Sequence, residues 1–398
     1  MNQAKRIQGR DGVAQVQQRL DVGLLIAFGI LLLLGLIMVA SASITVADRV
    51  YGNPLHFFQR QVVFVLMGLM LAFAMYRIRL VHWERSSRYL LVFALFLLAL
   101  VLVPGVGKTV NGSTRWLPLG FISLQVSEFV KLFVAMYLAS YMVRKSDDIR
   151  ASFKGFARPL VVLTICSILL LMEPDFGATV VLVGMGMGML FLGGARLGQF
   201  AGLLMVVTTG LAVLAISSPY RLKRLTSFLD PWQDPFNSGF QLTQSLIAIG
   251  SGSWTGTGLG ASIQKLFYLP EAHNDFLFAV FAEEFGFVGV TAVVLIYCFI
   301  LWRTFEIGAA AERMGLRFGA YLAYGIGICI GMQAFINMGV NMGILPTKGL
   351  TLPLMSAGGS SMLVMCAAIG LLLRVHYETR GQDKSSSASA HMLARKKR

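Results

Sequence analysis

Charge is scarce in this sequence. Only 13% of its 398 residues are Asp, Glu, Lys or Arg, while 56% are apolar. That balance cannot cover the surface of a soluble domain of this length, so a water-soluble globular fold is excluded. Acidic residues are the rarer sign, 19 against 34 basic, for a net charge of +15. No basic region forms a folded soluble stretch, so the excess does not describe a nucleic-acid-binding surface. The four cysteines (Cys166, Cys298, Cys329, Cys366) all fall in apolar runs without metal-ligand spacing. They read as packing residues, which excludes a disulfide framework and a thiolate metal centre. Long polar stretches are lacking as well, with one exception between Ser217 and Asn274.

What is abundant is apolar sequence in lengths that cross about 30 Å of hydrocarbon. Spans are expected at 21–43, 60–76, 88–103, 124–142, 158–172, 177–194, 197–216, 275–302, 318–341 and 352–374. The fold class is therefore an all-α integral membrane protein of about ten transmembrane helices, with 158–194 alternatively a re-entrant hairpin. Residues 1–20 form a polar N-terminal segment, 21–376 one polytopic membrane domain, and 377–398 a basic tail expected to be disordered. Of the 34 Lys and Arg, 24 fall on the side shared by both termini. The positive-inside rule then makes the termini cytoplasmic and puts the large loop, 216–274, between helices 7 and 8 on the exterior face.

Within that loop, Asn237-Ser238-Gly239 precedes an amphipathic run, Phe240 to Ile249, read as a short helix. Two glycine motifs are decoys for nucleotide binding. Gly107-Lys108-Thr109 lacks the first P-loop glycine, because position 102 is leucine. Gly256-Thr257-Gly258-Leu259-Gly260 lacks the strand and helix of a dinucleotide site and reads as a flexible turn that lets backbone approach a ligand. No nucleotide cofactor is expected.

The residues that could carry chemistry cluster at the exterior ends of the spans. Asp275 stands where the long loop enters the eighth span, two residues after His273. It is either a helix cap or a general base at the water–lipid boundary. Arg221, Lys223 and Arg224 open the same loop, as interfacial anchors or as groups that neutralise a phosphate. Glu128 and Lys131 are three apart and share a helix face, either as a self-compensating ion pair or as the wall of a polar cavity. Glu283 and Glu284 sit in an apolar helix, where a charge is by default functional. Asp175 marks a turn and reads first as a helix cap. Arg115 lies in another exterior loop, and Asn337, Asn341, Lys348 and Ser360 converge around the last one.

Three strings carry a family resemblance: Tyr220-Arg221 through Asp230-Pro231-Trp232, Gln264-Lys265-Leu266-Phe267-Tyr268-Leu269-Pro270-Glu271-Ala272-His273, and Gly343-Ile344-Leu345-Pro346-Thr347-Lys348-Gly349-Leu350-Thr351-Leu352-Pro353. From about residue 20 to 378 the chain resembles the SEDS proteins (shape, elongation, division and sporulation), and their division members in Gram-negative bacteria more than their elongation members. Asn274 and Ser253 depart from the family pattern without removing a charge.

The resemblance implies a peptidoglycan glycosyltransferase that polymerises lipid II at the division septum of the cell inner membrane. It makes Asp275 the essential aspartate and Glu128 and Lys131 the cavity pair. The donor would be a glycan on undecaprenyl pyrophosphate. His273, Lys348 and Ser360 join the basic cluster as expected substrate contacts, with Glu283, Asp175 and Arg115 behind them. The metal is open, with Mg or Mn shared with phosphates as the candidate cofactor. Implied partners are an FtsI-type class B penicillin-binding protein and divisome proteins such as FtsQLB and FtsN. Two other functions remain open at this point: a lipid II flippase and a non-catalytic divisome scaffold.

Overall fold

The computed structural model describes residues 20–396 apart from 111, 121, 152, 217–227, 238 and 347–348. The basic cluster Arg221, Lys223 and Arg224, and Lys348, therefore lie outside the described residues. Each expected span coincides with a helix: α1 Val22–Tyr51, α2 His56–Arg77, α3 Leu80–Val101, α4 Val126–Arg144, then a short α5 Ser146–Ala151, α6 Phe153–Met172, α7 Phe176–Leu192 and α8 Leu197–Ile216. The long loop contributes α9 Phe240–Ser251, where the amphipathic run was read. After it come α10 Leu277–Arg313, α11 Arg317–Asn341 and α12 Gly359–Lys396. Among these, seven are long and apolar enough to cross a membrane, and α7 and the first part of α8 are shorter apolar helices.

Three differences from expectation matter. The last helix begins at Gly359 rather than 352, because 352–358 form an irregular turn that packs on the site. It runs on to Lys396, through the segment read as a disordered tail. Between α3 and α4 the chain folds into a three-stranded antiparallel sheet, β1 Lys108–Val110, β2 Ser113–Leu119 and β3 Ile122–Gln125, in that order. Lastly, α10 is not one continuous helix.

Helix packing follows membrane rules, in which small residues let backbones approach and no hydrophobic force draws helices together. α4, α11 and α12 are enclosed on most sides, while α2, α6 and α10 turn apolar side chains such as Leu66, Phe73, Ile165 and Leu295 outward. α12 packs on α2 so closely at Gly370 that a Cβ there would lie 2.2 Å from the carbonyl oxygen of Ala72.

α10 breaks at Gly286, whose φ of 65° and ψ of −165° suit glycine alone. A break inside an apolar helix frees backbone groups that must find partners. Here the glycine-rich turn of the long loop supplies them. Thr257 and Gly258 donate their N–H groups to the carbonyls of Glu283 and Glu284, and Phe287 and Val288 donate to the carbonyls of Ser253 and Trp254. The backbone approach expected of that turn is thus made to a helix of the same chain. The half-helix 277–285 and the 252–265 loop lock together, with Asp275 just ahead of the half-helix.

Candidate active site

The turn before α10 holds Asp275 by its main chain. Asn337 and Asn341, one turn apart on α11, both donate side-chain amides to the Asp275 carbonyl, at 2.8 and 3.0 Å. Asn337 also reaches the Leu350 carbonyl at 2.6 Å, and the Ala357 N–H donates to the His273 carbonyl at 3.0 Å. The two turns 271–276 and 349–358 are therefore pinned to one another. Glu271, at φ 55°, takes a left-handed conformation that costs a non-glycine residue energy and recurs at functional sites. Gly349 faces the carboxylate: a Cβ at this position would sit 3.1 Å from Asp275 Oδ2.

The Asp275 side chain keeps partial access to water although it is crowded on nearly all sides. Burial, reinforced by Glu271 and opposed by Arg115, pushes its carboxyl up to about 7. His273 is buried, with its ring centroid 4.4 Å from that of Phe57. Burial lowers its proton affinity against the pull of Glu271, which leaves a neutral imidazole whose Nδ1 has no partner among the described residues.

A second cluster lies beside the first. Asp175 caps α7 by accepting from the Ala178 N–H at 3.1 Å, as the turn reading expected. Its other oxygen accepts from Ser127 at 2.9 Å, and Arg115 from β2 stands 3.7 Å away. Arg115 also donates to the carbonyls of Glu173 and Pro174 and to the Ser113 hydroxyl. Ser127 accepts from Gln125, whose N–H donates to Ser360 Oγ at 2.7 Å, so the Ser360 hydroxyl ties α12 to β3. The charges of Arg115 and Asp175 both bear on Asp275, which joins the two clusters electrostatically. Glu173 is sealed from water with neither carboxylate oxygen partnered among the described residues. Burial and Asp175 push its carboxyl up to about 8.

Other expected residues lie outside these two clusters, although the Lys131 charge bears on Asp175. Lys131 and Glu128 form a 2.9 Å ion pair, each almost wholly buried. The space beside Lys131 is a small void lined by Ala135, Met185, Cys329 and Met365, an apolar surround rather than a polar cavity. Glu283 accepts from the Ser262 hydroxyl and from the N–H groups of Ile263 and Gln264, so it anchors the long loop. Glu284 accepts from Lys265 at 2.8 Å and from Ser41 at 2.6 Å.

Sequence reading did not assign roles to Lys265, Ser41 and Gly349, and it placed Asn337 and Asn341 at the last exterior turn without giving them a role. The asparagines had a signal: two amides at i and i+4 on an apolar helix share one face. The Lys265–Glu284 pair had none, because its members come from different elements.

Among the described residues no three His, Cys, Asp or Glu side chains are placed to hold a metal ion. Among the described residues the donor set is too sparse for a metal held by protein groups alone. A Mg or Mn ion with one or two protein carboxylates and substrate phosphates is the arrangement compatible with it.

A family model described as "Cell cycle protein", covering FtsW, RodA and SpoVE, matches residues 22–381. A protein of Thioalkalivibrio sulfidiphilus named probable peptidoglycan glycosyltransferase FtsW is 65% identical over 95% of this chain and 94% of its own length. Another so named, from Legionella pneumophila, is 53% identical over 89% and 90%. A solved chain described under "Structural coordination of polymerization and crosslinking by a peptidoglycan synthase complex" superposes with a TM-score of 0.74 at 30% identity, covering 90% of this chain and 98% of that one. The rod shape determining protein RodA of Thermus thermophilus superposes at 0.67 with 28% identity, covering 90% and 96%.

Proposed function

This chain belongs to the FtsW, RodA and SpoVE family of multi-pass membrane proteins, and on that premise we propose that Asp275 is the general base of its peptidoglycan glycosyltransferase reaction. The observation that carries the reading is a carboxylate fixed through its own main chain by two buried amides, crowded yet open to water, with a proton affinity near neutrality. A base in that range accepts a proton readily and is free to do so at working pH.

The acceptor is lipid II and the donor a glycan on undecaprenyl pyrophosphate. Asp275 takes the proton from the 4-hydroxyl of the acceptor sugar as that oxygen attacks the anomeric carbon of the donor. The bond to the diphosphate breaks with its electron pair, and the configuration inverts from α to β. The negative charge that develops on the leaving diphosphate needs cations. Arg221, Lys223, Arg224 and Lys348 are the candidates in sequence, and Arg115 stands at the edge of the described site. A divalent ion would supply further neutralisation of the phosphates.

The site faces the cell exterior at the septum of the inner membrane, with both termini cytoplasmic. Its partner is a class B penicillin-binding protein, a reading supported by the likeness to a chain from a complex for polymerization and crosslinking.

Purified protein with Asp275→Asn, given lipid II and the partner, should lose about 10²–10⁴-fold in glycan synthesis while keeping its melting temperature within a few degrees. Unchanged synthesis would remove Asp275 from the base role. Transbilayer movement of lipid II in vesicles without polymer would favour transport instead, and normal division by the Asp275→Asn variant would favour a scaffold.

A further inference from the structure

A cavity of about 510 Å³ lies on the flank of the bundle, between α1, the start of α2 and the 259–266 loop. That size is in the usual range for small-molecule sites, about 300–1,000 Å³. Its walls are Ile37, Ala40, Ile44, Phe58, Leu259 and Leu266. Ile44 and Leu266 are also exposed on the apolar flank, so the cavity opens sideways, toward the hydrocarbon that α1 crosses.

Three polar groups meet at its floor. Lys265 donates to Glu284 and to Ser41, both at 2.8 Å, and Ser41 donates to Glu284 at 2.6 Å. The triad is neutral as a whole, so the floor offers no net attraction to an anion. A free cation stands at the mouth instead. Arg49 is one turn beyond Thr45 of the cavity wall, toward the end of the bundle that carries Asp275. Its guanidinium lies 5.0 Å over the Phe267 ring, with no carboxylate at ion-pair distance among the described residues. Apolar walls, a neutral floor and a cation at the aqueous rim match a long hydrocarbon with a phosphate at one end. The cavity also lies near the site: Phe58 of its lining follows Phe57, whose ring packs on His273 two residues from Asp275.

We infer that this groove binds the isoprenoid chain of a polyprenyl phosphate, with Arg49 on the phosphate, and so seats a lipid-linked sugar for Asp275. The choice of an isoprenoid over an acyl chain rests on the glycosyltransferase reading, whereas the groove itself does not.

The test uses full-length protein in phosphatidylcholine nanodiscs and an undecaprenyl phosphate carrying a diazirine in its chain. Irradiation should place adducts on residues 37–45 and 259–266. Excess undecaprenyl phosphate should suppress them, and excess phosphatidylglycerol should not. Ile44→Trp, which fills the groove from its open side, should cut adduct yield about tenfold. Arg49→Gln should raise the competitor concentration for half-suppression about tenfold, as expected for losing one charge-assisted contact. Ile44→Trp should lose more rate on full-length lipid II than on a short-prenyl analogue, because only the long chain needs the groove.

Adducts elsewhere, equal competition by phosphatidylglycerol, or equal loss on both substrates would overturn the assignment. Labelled groove residues in a wild-type protein that makes no glycan would instead sink the glycosyltransferase reading and leave the groove standing.

Discussion

Asp275 must be a carboxylate before it can take a proton, and its burial makes that condition sensitive to pH near neutrality. With its carboxyl raised to about 7, the group is mostly protonated below that pH. Glycan synthesis at low substrate should therefore fall about tenfold per pH unit below 7 and level off above it. A profile flat from pH 5.5 to 8 would mean that another group takes the proton. Glu173 has the same sign of shift with a different consequence. Its folded value of about 8 lies above the ordinary 4.5, so the folded protein holds the proton more tightly than the unfolded chain. The stability this contributes is complete below pH 4.5 and is lost as pH rises through 8. Glu173→Gln should flatten the fall in melting temperature between pH 5 and 9, measured by thermal unfolding in detergent. A variant that melts with the wild-type pH dependence would show that Glu173 is already ionised. Arg115 approaches Glu173 through its carbonyl and not its carboxylate, which is why burial outweighs the neighbouring cation there.

At the scale of elements, the broken helix is the device that sets the site. Gly286 cannot carry a side chain: a Cβ would meet Gly256 N at 2.3 Å and Gly252 O at 2.7 Å, in a backbone region open to glycine alone. Gly286→Ala should destabilise the protein by about 3 kcal/mol or more and lower glycan synthesis, because the loop–helix lock and the turn bearing Asp275 move together. Thermal unfolding and activity of the same preparation check this, and wild-type values for both would refute it. The apolar helices were legible at all ten expected places, seven of them long and apolar enough to cross, because a bilayer crossing demands a long apolar run whatever the tertiary contacts. The position of Asp275 was legible too, as a carboxylate where a polar loop meets a span. The break at Gly286 was not. Its freed carbonyls are satisfied by Thr257 and Gly258, 26 residues earlier, and no local pattern records such pairing. The paired Glu283 and Glu284 pointed to the place but suggested chemistry, where the structure gives Glu283 the holding of residues 262–264. The sheet between α3 and α4 had a signal in Asn111-Gly112, the dipeptide of tight hairpins, with Gly112 at φ 76°.

At the scale of the molecule, sidedness decides whether the site can meet its substrate. The helices alternate so that the turns after α2, α4, α7 and α10 lie at one end, and the hairpin, the Asp175 turn, the long loop and the Asp275 turn lie at the other. Lys and Arg concentrate at the first end, including Arg77, Arg79, Arg144, Lys145, Arg313 and Arg317, and the positive-inside rule is what supports the proposed cytoplasmic side for that end. The native cysteines give a quiet background for testing this. Cys166, Cys329 and Cys366 are buried, and Cys298 lies within a span. A membrane-impermeant maleimide should label Trp232→Cys, in the long loop, in cells whose outer barrier alone has been opened. It should label Lys145→Cys, after α4, only once the inner membrane is permeabilised. The reverse pattern would place Asp275 in the cytoplasm, where a growing wall polymer could not be released on the outer face, and the proposed reaction would fail on geometry before any question of chemistry arose.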